Sequence, residues 1–213
     1  MKGRLMTGRQ QESIGIIGAG PVALALAEIF SAAGHPVTVS SRRPDPTARV
    51  TSAGVPVVSF EEASEAEIVV FAVLHSASRE LALRLAPRMM GKLVIDVDNA
   101  WLPGHYELAG LSADLTEGQW MADLLPQSRV ARAFSHIDWN LFARGLARPG
   151  YWGAGYAADD ATTKSEMEHL IRGVGFVPVS AGSLAASAAL DVDGALWSRL
   201  LPADRTKQIL ASV

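Results

Sequence analysis

The stretch Ile14-Gly15-Ile16-Ile17-Gly18-Ala19-Gly20-Pro21-Val22-Ala23 decides how this chain folds, together with Val37-Thr38-Val39-Ser40-Ser41-Arg42-Arg43 beyond the apolar run that follows it. A strand, a glycine turn, a helix and a second strand succeed one another within about 30 residues, the span of one βαβ unit. Gly18 lets the chain leave the strand in a tight turn, and Gly20 leaves room for backbone to approach a pyrophosphate. Ala23 takes the third position, where a small side chain lets helix and strand pack closely. Pro21 suits the first helical turn, where its missing N–H costs no hydrogen bond. That helix end presents free N–H groups and a partial positive charge. Gly18, Ala19, Gly20, Pro21 and Val22 are therefore the expected pyrophosphate loop of a dinucleotide.

The end of the second strand selects the dinucleotide. An NAD site places Asp or Glu about 20 residues past the glycines, on the ribose hydroxyl. Here the count from Gly20 reaches Ser40 and Ser41, with Arg42 and Arg43 behind them. Arginine binds phosphate through a planar fork. The four residues thus predict a 2′-phosphate site and NADP(H) as cofactor.

Composition bounds the rest. The 213 residues are 49% hydrophobic and 19% charged, which suits one compact domain, or one with a small added lobe. A net charge of −3 and no basic patch with interleaved aromatics argue against a nucleic-acid partner. The chain has no cysteine, which removes disulfides, thiol catalysis and thiolate metal sites. No apolar run is long enough to span a membrane. Residues 1–12 read as a flexible leader without the apolar segment of a signal peptide, so a cytoplasmic location is expected.

Strand and helix patterns alternate, which predicts an α/β fold with a doubly wound, mainly parallel sheet. Strands are expected at 13–17, 36–40, 55–59, 68–74, 92–97 and 129–134, then near 151–156 and 176–179. Helices are expected at 21–33, 46–53, 76–85 (stopping before Pro87), 116–125, 162–174 and from about Ser183 to the end. Residues 13–134 form the expected dinucleotide-binding domain. Residues 135–213 form a small C-terminal α+β lobe that completes a substrate or second-cofactor cleft.

In open α/β sheets, ligands bind beyond the carboxyl ends of the strands. Those ends carry His75, Asp98, Asn99, Trp101, Ser135, His136, Asp138 and Trp139. Ala72, Val73 and Leu74 form a candidate apolar floor for the nicotinamide, with His75 and Asn99 beside it. Trp101, Ser135, His136 and Trp139 are candidates for contact with a substrate or second cofactor. His136 and His75 are the candidate proton donors, because imidazole titrates near neutrality. Asp96 and Asp98 flank Val97 and point oppositely if extended, so they are not an obvious acid/base pair. His35, His75, His105, His136 and His169 include no pair at helical ligand spacing, and no metal site is expected. A nucleophile elbow is absent, and Gly91-Lys92 lacks the upstream glycine of a phosphate loop.

The chain resembles the NADPH-dependent reductases typified by the F420:NADP oxidoreductases, whose partner cofactor is a deazaflavin. Ser41-Arg42-Arg43 stands where that family binds the 2′-phosphate. Val94-Ile95-Asp96 with Asn99 resembles its fifth-strand signature, and Arg129-Val130-Ala131-Arg132-Ala133-Phe134-Ser135 its sixth strand. Gly173–Leu184, around Gly175-Phe176-Val177-Pro178, resembles its C-terminal motif. The resemblance implies a six-stranded dinucleotide fold with a small C-terminal lobe, a second cofactor in the cleft between them, and a homodimer. Ser135 replaces the family's Asn or His, and His75 and Trp139 add bulk where the second ring system lies.

The expected activity is hydride transfer between NADPH and a deazaflavin such as coenzyme F420, or a flavin. Two alternatives stand beside it. One is an NADPH-dependent reductase of a small imine or carbonyl compound, and the other a non-catalytic NADP(H) sensor. The glycine region also resembles pyrroline-carboxylate reductases, without their long helical dimerisation domain.

Overall fold

The computed structural model describes residues 11–42, 54–101 and 114–213. Arg43 and the short helix expected at 46–53 lie outside the described residues. Within them, eight strands form one sheet in the order β3-β2-β1-β4-β5-β6-β7-β8. The elements run β1 (Ile14–Ile17), α1 (Pro21–Ala32), β2 (Val37–Ser40), β3 (Val57–Val58), α2 (Phe60–Ala63), β4 (Ile68–Phe71), α3 (His75–Met89) and β5 (Leu93–Asp96). They continue with α4 (Glu117–Leu124), β6 (Arg129–Ala133), α5 (Ala143–Ala147), β7 (Gly153–Ala158), α6 (Ala161–Gly173), β8 (Val177–Gly182) and α7 (Ala203–Leu210). Two 3₁₀ segments, Trp139–Leu141 and Leu184–Leu190, complete the set.

The first six strands are mutually parallel. Ile68-Val69-Val70-Phe71 is buried along its whole length, as a strand covered by helices on both faces must be. The side chains divide by strand alternation. Ile16, Val39, Val70 and Ile95 pack with Leu26 and Phe30 of α1 on one face. Ile17, Val69, Phe71 and Val94 pack with Leu81, Leu85 and Met89 of α3 on the other.

Local signals explain the helix ends. Ser59 caps α2 in a capping box with Glu62, and Thr116 does the same for α4 with Gln119. The helix expected to stop before Pro87 continues through it to Met89. Pro87 sits on the exposed face, beside exposed Leu83 and Arg88, while Leu85 and Met89 keep the apolar face buried. Burial of that face outweighs the one backbone hydrogen bond that proline removes. Gly15 shows a second constraint that the sequence hid. A Cβ there would lie 1.8 Å from the Ala63 carbonyl oxygen, so α2 can lie on β1 only at a glycine.

The C-terminal residues continue the sheet instead of packing on a six-stranded one. β7 pairs antiparallel with β6, in the register Ala131↔Ala158 to Ala133↔Tyr156, and β8 pairs parallel with β7. The reversal brings the start of β7 to the exit of β6. The single helix expected from Ser183 is two elements, a 3₁₀ segment and α7. Between them Gly194 makes a close turn, where a Cβ would lie 2.2 Å from the Ala188 carbonyl oxygen. Leu184, Ser187, Ala189 and Leu190 are buried, so this segment is drawn across the strand ends rather than coiled into a free helix.

Candidate functional site

The glycine turn opens at the start of α1. Gly18 has φ +131°, and a Cβ there would stand 2.2 Å from the Ala72 carbonyl oxygen. Only glycine satisfies both limits. Gly20 is the N-cap of α1 and donates no side-chain cap, and a Cβ placed on it meets nothing within 4 Å. The first intrahelical bond runs from Leu24 N–H to the Gly20 carbonyl, so the N–H groups of Val22 and Ala23 precede the helical ladder. Ala19, Gly20 and Pro21 are exposed at this mouth, while Ala23 is fully buried against the sheet. The open space beside Gly20 and the free helix end fit a pyrophosphate.

Ser40 has a different task from the one expected. It is fully buried, its hydroxyl donates to the Ile16 carbonyl at 2.9 Å, and it accepts from the Gly18 N–H at 3.3 Å. It staples β2 to the glycine turn and leaves no hydroxyl for a ribose. Ser41 is half-buried, and Arg42 is exposed just past the carboxyl end of β2. Ala72 is buried, Val73 half-buried, and Leu74, the N-cap of α3, is 59% exposed. An apolar side chain this open, directly beyond a parallel strand, suits a floor for a planar ring.

The carboxyl ends of β5 and β6 hold a buried ionic cluster around Arg132. Its Nη1 lies 2.8 Å from Asp96 and donates to the Asp98 carbonyl at 2.6 Å. Its Nε donates to Asp191 at 2.9 Å, and its Nη2 faces Glu117 at 3.1 Å. Arg132 Nη2 also donates to Asn99 Oδ1 at 3.1 Å, while Asn99 Nδ2 donates to the Ser135 carbonyl at 3.3 Å. Ser135 in turn donates to the Leu190 carbonyl at 3.1 Å. Asn99 and Ser135 are thus joined in one network that ties the 3₁₀ segment 184–190 to the strand ends. Burial pushes Asp96 well above the usual carboxylate range and Glu117 up to about 7, against the pull of Arg132.

Asp96 and Asp98 do not point apart as an extended chain requires. β5 ends at Asp96, and the Asp98 N–H donates to Asp96 Oδ1 at 3.2 Å. Both residues then converge on Arg132. His75 opens α3 with its ring 9% exposed and stacked on Trp120 at 4.3 Å between centroids. Its Nδ1 is 3.8 Å from Asp98, whose other oxygen accepts from Ser78. The Asp98 carboxylate raises the pKa of His75 above the ordinary imidazole value, against the opposing effect of burial.

His136 is not an available proton donor. It is 1% exposed, and its Nε2 accepts from the Gly155 N–H at 3.2 Å. Burial, reinforced by the Arg132 charge, pushes its pKa down to about 3. It is a neutral ring that fastens β7 to the exit of β6. Trp101 packs on Trp197 at 5.9 Å, whereas Trp139 is 44% exposed on the 3₁₀ turn that lies against α1. The two tryptophans expected to share a role occupy different neighbourhoods.

Arg132, Glu117, Asp191 and Trp120 were missed as site residues. One signal was present, since Asp96 ends an otherwise apolar β5 and Arg132 stands between two alanines of β6, and the two are register partners. Glu117 and Asp191 carry no such mark.

Residues 13–100 match the family described as NADP oxidoreductase, coenzyme F420-dependent. The metalloreductase STEAP3 of Rattus norvegicus is 29% identical over 204 residues, 95% of this chain and 40% of that protein. The chain therefore spans about two fifths of the length of that relative. A hypothetical protein from Sinorhizobium meliloti superposes with a TM-score of 0.78 at 27% identity, covering 90% of this chain and 96% of the other. A candidate F420-dependent NADP reductase from Arthrobacter sp. FB24 superposes at 0.68 with 22% identity, covering 83% and 87%. Among the described residues, no helix is long and apolar enough to cross a membrane.

Proposed function

We propose that this protein, whose residues 13–100 match the family described as NADP oxidoreductase, coenzyme F420-dependent, transfers hydride between NADPH and a deazaflavin- or flavin-type acceptor. The observation that carries the reading is the open glycine cradle at the start of α1, with Arg42 beyond the neighbouring strand. The helix end and the backbone of Gly18–Val22 hold the pyrophosphate, and Ser41 with Arg42 holds the 2′-phosphate. Val73 and Leu74 support the nicotinamide from below. When bound, NADPH supplies a hydride, and the apolar Leu74 surface keeps water from the transfer path.

The exposed apolar Leu74, the buried, neutral His136 and the enclosure of His75 against Trp120 favour an acceptor that needs little proton transfer. A deazaflavin or flavin ring accepts hydride in this way, whereas an imine or carbonyl needs an acid at its heteroatom. Residues 135–213 complete the acceptor side of the cleft in this reading, through Ser135 and the segment that Arg132 anchors.

The test is NADPH oxidation at 340 nm with F420, FMN or no acceptor, run beside NADH. Turnover that needs F420 or FMN and prefers NADPH is the expected result. Tight NADPH binding with no turnover on either acceptor overturns the acceptor assignment.

A further inference from the structure

Three polar atoms at the junction of α3, the β5 exit and α4 are enclosed without an aligned hydrogen bond: His75 Nδ1, Asp98 Oδ1 and Glu117 Oε2, the last of which has only the Arg132 guanidinium, 3.1 Å away, beside it. Their residues are 9%, 3% and 1% exposed. One ligand atom from each residue lies within 4.8 Å of the other two. We propose that His75, Asp98 and Glu117 form a binding site for a first-row divalent cation of the zinc type, which clamps the start of α3 to β5 and α4. The proposal does not depend on the identity of the hydride acceptor.

Charge is the first argument. Arg132 faces the carboxyl groups of Asp96, Asp98, Glu117 and Asp191, so one guanidinium is shared by four acidic side chains in a region almost closed to water. Uncompensated buried charge is costly, and orphaned buried polar atoms add to that cost. A bridging water would give the three atoms hydrogen bonds without neutralising any charge. A dication does both.

Donor chemistry is the second argument. One imidazole nitrogen and two carboxylate oxygens suit zinc, iron, cobalt or manganese better than calcium or magnesium. The surrounding groups already hold the ligands in place. Ser78 donates to the other oxygen of Asp98, Arg132 lies beside Glu117, and Trp120 covers the His75 ring. Bonds of about 2.0–2.2 Å place neighbouring ligand atoms about 3–3.5 Å apart. His75 and Asp98 stand 3.8 Å apart, so small side-chain rotations close the site. Three protein ligands leave the fourth tetrahedral position to a water or to a second carboxylate oxygen, and enclosure of the trio keeps that position away from bulk solvent. Sequence spacing could not show this trio, because its members come from three elements.

The experiment titrates chelator-stripped full-length protein with Co²⁺, followed by visible absorption, and with Zn²⁺, followed by calorimetry and thermal melting. Wild type is expected to take up one equivalent, to develop cobalt d–d bands, and to gain roughly 5–10 °C in Tm at a hundredfold excess over Kd. His75→Ala and Glu117→Gln should each weaken binding at least tenfold, while His169→Ala, on the exposed face of α6, should not. Crystals grown with Co²⁺ give a readout that needs no variant: anomalous density among the three side chains supports the site. Absence of a bound equivalent in wild type, equal binding by the variants, or cobalt located elsewhere overturns it.

Discussion

Arg132 Nη1 lies 2.8 Å from Asp96 Oδ2, and both side chains are fully buried at adjacent register positions of β6 and β5. This pair is the centre from which the strand ends, α4 and the C-terminal segment are held. Replacing a buried ion pair whole can be neutral, but removing one partner strands the other charge. Arg132→Met should therefore cost about 3–5 kcal/mol of unfolding free energy, read as a lower urea midpoint. It should also loosen segment 184–191, which hydrogen exchange would detect. An unchanged midpoint would mean that the cluster is held by protons rather than by the guanidinium.

Two glycines of one turn should respond differently. Gly18→Ala forces a side chain into the Ala72 carbonyl at a φ of +131°. It should lose both stability and NADPH binding. Gly20→Ala meets no protein atom within 4 Å, so its Tm should match wild type while NADPH affinity drops at least tenfold. Equal NADPH affinity in Gly20→Ala and wild type would show that the pyrophosphate does not lie on this turn.

Cofactor choice rests on Arg42. A charge-assisted hydrogen bond to phosphate contributes about 1.5–3 kcal/mol. Arg42→Ala should narrow the preference for NADPH over NADH by about 10- to 100-fold, with NADH binding little changed. Isothermal titration with both nucleotides measures it. Weakening of both to the same degree would instead point to a general loss of the site.

His136 gives the acid limb of stability a defined slope. Its folded pKa is about 3, against 6.5 as the ordinary value. Above pH 6.5 the ring is neutral in both states and its contribution is complete. As pH falls from 6.5 toward 3, the unfolded chain takes up a proton that the folded chain refuses. Stability then falls by up to about 1.4 kcal/mol per pH unit from this group. His136→Gln, whose Oε1 can take the place of Nε2 as acceptor for the Gly155 N–H, should remove about one proton's worth of that slope. Urea midpoints from pH 7 to pH 4 test this, and parallel acid limbs in the two proteins would refute it.

Part of this protein was legible in its sequence. The turn from Gly18 to Pro21, the apolar runs of β1, β4 and β5, and the alternation of strands with helices are local patterns, and local patterns set the fold class and the place of the glycine turn. Absence of a carboxylate after β2 was equally local. Other features belonged to tertiary structure alone. Ser40 was expected at the ribose, but its hydroxyl is taken up by Ile16 and Gly18. His136 was expected as an acid, but burial against β7 keeps it neutral. Pro87 was expected to end a helix, but its face of α3 is open to water. Residues after β6 were expected as a lobe, yet they add β7 and β8 to the same sheet. Glu117 and Asp191 reach Arg132 from 15 and 59 positions away in the chain. Hydrophobic period and turn chemistry act between near neighbours and can be read along the chain. Desolvation and charge act through space, so they take definite values only once the fold has set which groups face one another.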